Sequence, residues 1–194
     1  MKEKIKKIME IKGETRGVVF KTDEEFILRE KGEEGLKKIE KELKKFGYPI
    51  KYKEITNMAY YPVGLRILSL LAIKKVFDSS EEEIRKMGAD APKISLIIRF
   101  FMQYFLSLRK TLKEVSKMWR KHYTIGELIV AESNEEKKFI ILRLKGFNLH
   151  PIVCFYLAGY FSTVLKMIVK KSVLCQETKC FFRGDKYHEY LFKW

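Results

Sequence analysis

Amide side chains are nearly missing from this 194-residue chain, which has two glutamines and three asparagines against 40 lysines and arginines and 25 aspartates and glutamates. That rules out an Asn/Gln-rich low-complexity protein, and the Lys/Glu-dominated surface resembles that of thermophile proteins. Cysteine is scarce: Cys154, Cys175 and Cys180 are too few and too unevenly spaced for a disulfide framework. Four prolines and no Gly/Ser-rich tract leave no obvious flexible linker, and no internal repeat is visible. The opening MKEKIKKIMEIKGE lacks the apolar core of a signal peptide, so a cytoplasmic protein is expected. The longest charge-free run, Gly146 to Leu165, carries Asn148, His150 and Pro151. Its apolar part is short for a membrane span and reads as a buried core helix. There is no nucleophile elbow, P-loop, dinucleotide glycine motif or HExxH, so the chain is not expected to be an enzyme.

What is present is apolar and basic. Hydrophobic residues make up 46% of the chain, enough to exclude disorder, and the formal charge is +15. A basic surface suits acidic proteins, anionic membranes or nucleic acid. Without an RNP motif, zinc-finger pair or helix-turn-helix, sequence-specific nucleic-acid reading is not expected.

Arg16 to Phe20 reads as a short strand, with Thr22 or Asp23 capping a helix interrupted at Gly32 and Gly35. Pro62 opens the next helix, and Asp78-Ser79-Ser80 caps a short one, Glu81 to Met87, punctuated by Gly88 and Pro92. Ile94 to Tyr123 reads as a long central helix, possible to break near Leu108. Its second half sets Arg109, Lys113, Lys117 and Arg120 on a basic face opposite Leu112, Val115 and Trp119. Gly126 to Ser133 and Lys137 to Leu144 form a hairpin, Pro151 starts a helix running to about Lys171, and the last residues form a second hairpin. The order predicts an α+β fold: N-terminal helices and a long central helix packed on a four-stranded antiparallel sheet made of two hairpins joined by a helix. A soft boundary separates an N-terminal helical part, residues 1–90, from a core of residues 91–194.

The C-terminal hairpin carries the most suggestive chemistry. Its strands are Val173 to Phe182 and Tyr187 to Trp194, and Gly184 supplies the turn. With a three-residue loop, Cys180 lies across from His188, close enough for both to face one metal ion. Zinc wants four ligands. Cys175 and His150 are the candidates for the others, although Cys175 sits on the opposite strand face. Two aromatic runs, Phe100 to Phe105 and Phe155 to Phe161, provide lining for an apolar pocket. Phe101, Tyr104, Phe105, Cys154, Tyr156 and Tyr160 are the candidate ligand contacts.

The pattern Glu177-Thr178-Lys179-Cys180, then Gly184-Asp185, then His188-Glu189-Tyr190 resembles the end of the vinyl-reductase (4-vinyl reductase type) domain family. Those domains finish with Cys, a Gly-Asp turn, then Cys-Glu-Phe; here His188 and Tyr190 replace the second Cys and the Phe. The resemblance covers roughly residues 125–194. It implies a non-enzymatic, small-molecule-binding sensory domain for hydrocarbon-like ligands. The wider fold group includes the H-NOX heme sensors and the TRAPP tethering subunits, which implies a homodimeric scaffold as the alternative. H-NOX proteins hold iron on a histidine in the long helix before the first hairpin and carry a Tyr-x-Ser-x-Arg motif. This chain has no histidine between residues 93 and 121 and no such motif, so heme is not expected.

Overall fold

The computed structural model describes residues 2–95 and 107–194. The N-terminal half contains α1 (Lys2–Met9), β1 (Glu14–Arg16), α2 (Val18–Lys45), β2 (Tyr60–Pro62), α3 (Val63–Phe77) and α4 (Glu81–Ile94). The rest comprises α5 (Leu108–His122), the hairpin β3 (Glu127–Asn134) and β4 (Phe139–Lys145), α6 (Pro151–Val169), and the hairpin β5 (Leu174–Lys179) and β6 (His188–Lys193). The architecture is α+β, with a four-stranded antiparallel sheet ordered β3-β4-β6-β5, so the two hairpins meet through β4 and β6. A two-stranded ribbon, β1-β2, ties the N-terminal helices together.

The register of the central strands follows from burial. Ile140, Leu142 and Leu144 oppose Phe192, Tyr190 and His188, and all six side chains are buried on one face. Burying each large apolar side chain contributes about 1.5–3 kcal/mol. A slip of one residue would turn the whole set outward. The opposite face carries the Arg143–Glu189 ion pair at 2.6 Å. α6 lies against the buried face, where Phe161 meets Tyr190 edge-on at 5.7 Å.

Several local expectations are corrected. The first strand ends at Arg16, and α2 begins at Val18, so Thr22 and Asp23 lie inside the helix rather than capping it. Tertiary contacts override their capping preference: the Thr22 hydroxyl donates to the Val19 carbonyl at 2.9 Å, and Asp23 pairs with Arg66. Gly32, at φ +66, is the kink inside α2. Ser80 caps α4 through a reciprocal box with Glu83. The helix then continues past Met87 through Gly88 and Pro92, so the boundary drawn near residue 90 falls inside it. Gly88 serves close packing instead: a Cβ there would stand 2.0 Å from the Tyr156 carbonyl oxygen of α6. α5 starts at Leu108, where Ser107 caps it, and the segment expected to join it to Ile94 lies outside the described residues.

Candidate functional site: an apolar pocket and a thiol–imidazole cluster on one helix

α6 carries both features. Pro151 opens it at a position where a missing N–H is harmless, and His150 caps it, its Nδ1 accepting from the Ile152 amide at 3.1 Å. His150 is not among the residues that come together as candidate metal ligands below. Gly159 lets α4 approach, since a Cβ at this position would lie 2.0 Å from the Arg85 carbonyl oxygen. The helix is long and apolar enough to cross a membrane, but half of it is buried here against α4 and the sheet, as a core helix is.

Between α6, α5, the start of α2, the end of α4 and the sheet lies a cavity of about 130 Å³. Its walls are almost wholly apolar and include Val115, Trp119, Tyr156, Tyr160, Phe161 and Phe192. Of the candidate ligand contacts, Tyr156 and Tyr160 line it. Phe101, Tyr104 and Phe105 lie outside the described residues. Cys154 is not in the wall; it belongs to the cluster described below. The sequence reading missed His122, the last residue of α5, which faces the cavity and makes no hydrogen bond among the described residues. Burial, with Arg16 and Lys121 nearby, lowers its pKa to about 4, so the imidazole is neutral. The Trp119 indole donates to the Ile125 carbonyl at 3.0 Å and stacks on Tyr123, which fixes that wall.

At the N-terminal end of α6, Cys154, Glu177, Cys180 and His188 bring their ligand atoms within 4.8 Å of one another. Cys154 Sγ is 4.0 Å from Cys180 Sγ and 3.6 Å from His188 Nδ1, which lies 3.3 Å from Glu177 Oε1. Tetrahedral zinc, with bonds of about 2.3 Å to sulfur and 2.0–2.2 Å to nitrogen and oxygen, requires separations of about 3.8, 3.5 and 3.4 Å for those pairs. The turn is locked around Cys180: its amide donates to Asp185 Oδ2 at 2.8 Å, and its carbonyl accepts from the Arg183 and Asp185 amides. Gly184, at φ +95, permits that loop. A shift of register between Glu177 and Lys179 swings Glu177 toward His188, while Cys175 stays outside the group. Arg183 holds the other Glu177 oxygen at 3.1 Å. Burial raises the Cys154 thiol pKa, and Glu177 and Cys180 reinforce this. Burial also pushes the Glu177 carboxyl upward, but His188, Cys180 and Arg183 outweigh it and leave the group below the usual carboxylate range. The Tyr190 hydroxyl, close to Cys154 and Glu177, is buried without a hydrogen-bond partner among the described residues.

The basic residues Arg109, Lys113, Lys117 and Arg120 are exposed on α5, where Lys117 sits 3.6 Å from Glu114.

No family model matches this chain, and no curated protein does. Solved structures do match. An H-NOX protein from S. oneidensis in the Fe(II)NO ligation state is 10% identical, with a TM-score of 0.70 over 92% of this chain and 98% of that one. The Fe(II) unliganded H-NOX protein from K. algicida is 12% identical, with a TM-score of 0.63 over 92% and 95%. A protein described for the tuning of heme redox potential by porphyrin distortion is 16% identical, with a TM-score of 0.61 over 92% and 97%. The chain has the H-NOX fold. The likeness also overturns the exclusion of heme: these neighbours are described by an Fe(II)NO ligation state and a heme redox potential, and the helix before the first hairpin does end in a histidine, His122, at the pocket wall.

Proposed function

We propose that this chain is a non-enzymatic sensor domain that takes a small molecule into the pocket beneath α6 and reports occupancy through the packing of that helix. The observation that carries this reading is the apolar cavity bordered by a neutral imidazole. The structural neighbours support it, being described by their ligation states, Fe(II)NO and Fe(II) unliganded. The C-terminal resemblance to vinyl-reductase domains points the same way, toward hydrocarbon-like guests.

Heme fits the donor set in one respect: His122 is uncharged at neutral pH and free to bind metal. A heme iron held by a single histidine offers its other face to a gas ligand. In size, the cavity as it stands compares with the engineered void of about 150 Å³ that admits benzene. A porphyrin therefore enters only if α5 and α6 move apart, whereas a single-ring guest enters as the walls stand. Two titrations of the full chain test the reading, both followed through the fluorescence of Trp119, which lines the cavity. Saturable binding of hemin that is lost in His122→Ala assigns the pocket to a porphyrin. Saturable binding of ethylbenzene, weakened in the cavity-filling Ala91→Leu, assigns it to a smaller apolar molecule. Saturable binding of neither would overturn the proposal.

A second, separate proposal rests on the cluster. We propose that Cys154, Glu177, Cys180 and His188 hold a divalent metal of the zinc class as a closed, structural centre pinning α6 to the C-terminal hairpin. The match of separations supports this. So does Tyr190, whose unpartnered hydroxyl would gain a thiolate acceptor once metal ionises Cys154. Metal analysis of the isolated protein tests it: one equivalent in the wild type and loss in Cys154→Ser are expected. Wild-type protein refolded with excess zinc yet metal-free would refute it.

A further inference from the structure

A buried ion pair stands directly behind the pocket. Arg66 of α3 and Asp23 of α2 touch through Nη1 and Oδ2, with side chains only 2% and 1% exposed. The guanidinium lies 4.5 Å over the ring of Tyr156 and beside the hydroxyls of Tyr156 and Tyr123. Apart from the ionic contact, the pair is badly served: Asp23 Oδ1, Arg66 Nη2 and the nearby Thr15 Oγ1 are buried with no geometrically sound hydrogen bond among the described residues. Each such group costs about 1–3 kcal/mol, more when charged. Their concentration at one place points to a partner that does not belong to the chain.

The pocket lies within reach of that partner. Tyr123 and Tyr156 form part of its wall and also approach Arg66, with Thr22 of the wall beside Tyr156. A guest filling the apolar part can thus place its head against the polar cluster. Two features define that head. Asp23 already cancels the charge of Arg66, so a carboxylate would leave a net negative charge buried, at high cost. The Thr15, Tyr123 and Tyr156 hydroxyls can each donate or accept, so a neutral acceptor head can be met by Arg66 Nη2 while a hydroxyl turns toward Asp23 Oδ1.

We infer that the ligand is an apolar molecule bearing one neutral acceptor head of the carbonyl type, received by Arg66 at the Tyr123–Tyr156 end of the pocket. This rests on the apolar-pocket reading above. The test is a matched series titrated against the full chain: ethylbenzene, acetophenone and benzoate share a single ring and differ in the head. Acetophenone is expected to bind about tenfold tighter than ethylbenzene, the gain of one hydrogen bond to a charged donor, and benzoate more weakly than acetophenone. In the paired variant Arg66→Met with Asp23→Leu, the ketone preference disappears while ethylbenzene still binds; replacing a buried pair by apolar residues of similar size generally preserves the fold. Tyr156→Phe, which keeps both charges, reduces the preference and serves if the paired variant does not fold. Equal affinity for ethylbenzene and acetophenone would mean that buried water alone satisfies the pair; that overturns this inference and leaves the apolar pocket standing. Failure of all three to bind removes both.

Discussion

Placing a methyl group at Gly159 tests whether the α4–α6 seam holds the pocket together. A Cβ there would lie 2.0 Å from the Arg85 carbonyl oxygen and 2.9 Å from the Ala89 amide nitrogen. The obstacles are backbone atoms of a helix, so relief requires α4 and α6 to part by about 1 Å or more to reach normal contact. Overpacking of this kind costs about 1–3 kcal/mol, with a backbone obstacle at the upper end. The better helix propensity of alanine returns about 0.8–1 kcal/mol. Gly159→Ala is therefore expected to lose about 1–2 kcal/mol net, a fall in Tm of about 2–8 °C for a domain of this size. Thermal unfolding followed by circular dichroism reads it. Gly88→Ala obstructs the same seam from the other side, 2.0 Å from the Tyr156 carbonyl oxygen, so the double variant is expected to lose less than the sum. Ala91 of α4 and Tyr156 and Tyr160 of α6 line the cavity, so ethylbenzene affinity should shift with the seam. A Gly159→Ala protein more stable than wild type would refute the close packing.

His122 makes stability pH-dependent. Its folded pKa of about 4 lies below the ordinary 6.5, so the unfolded chain binds the proton more readily. The neutral form's contribution is complete above about pH 6.5 and is lost as pH falls toward 4, by at most about 3 kcal/mol; His122→Leu should flatten that part of the profile in denaturant titrations. Removing metal with a chelator, or replacing Cys154 by Ser, should lower Tm by about 5–11 °C, taking a cation at about 100 times its Kd as worth about 2.7 kcal/mol. An unchanged Tm with proven metal loss would show that the centre does not brace the hairpin. Changing Arg109, Lys113, Lys117 and Arg120 to Gln should leave Tm within about 2 °C, because exposed charges contribute little. The same change should lower the salt needed to elute the protein from heparin.

The sheet and its helix were legible because their signals are local. Alternation in Phe139 to Leu144, the prolines at 62 and 151 and the Gly184 turn each act within a few residues. The start of α2 was misread because Thr22 and Asp23 have strong capping chemistry, and only the arrival of Arg66 from α3 shows why they sit inside a helix. Gly88 and Pro92 resemble a stop signal, yet α4 continues because Gly88 is needed where Tyr156 approaches. The cluster was half visible. Cys180 and His188 share one hairpin, whereas Cys154 comes from a helix 26 residues earlier. Glu177 had been noted as part of the C-terminal pattern, but its aim depends on a register shift in β5 that residue types do not announce. His122 drew no role from the sequence, although the end of α5 is where the pocket wall lies.

These features converge on α6 for a geometric reason. Its N-terminal end, through Cys154, faces the hairpin turn; its middle, at Gly159, meets the α4 backbone; and Tyr156, Tyr160 and Phe161 face the cavity. A guest pressing on Tyr156 therefore pushes a helix that the cluster restrains at one end and the α4 backbone restrains along its side. A close-packed interior does not absorb such a push by gradual deformation, because each contact has little slack. The response open to α6 is a rigid shift that repacks Phe161 on Tyr190 in β6, the strand that also supplies His188 and Phe192. Any free energy gained by a guest from that shift must be shared with whatever occupies the cluster, since coupling between two sites is reciprocal. On the readings proposed above, a guest in the pocket and a metal in the cluster would thus act on the same helix.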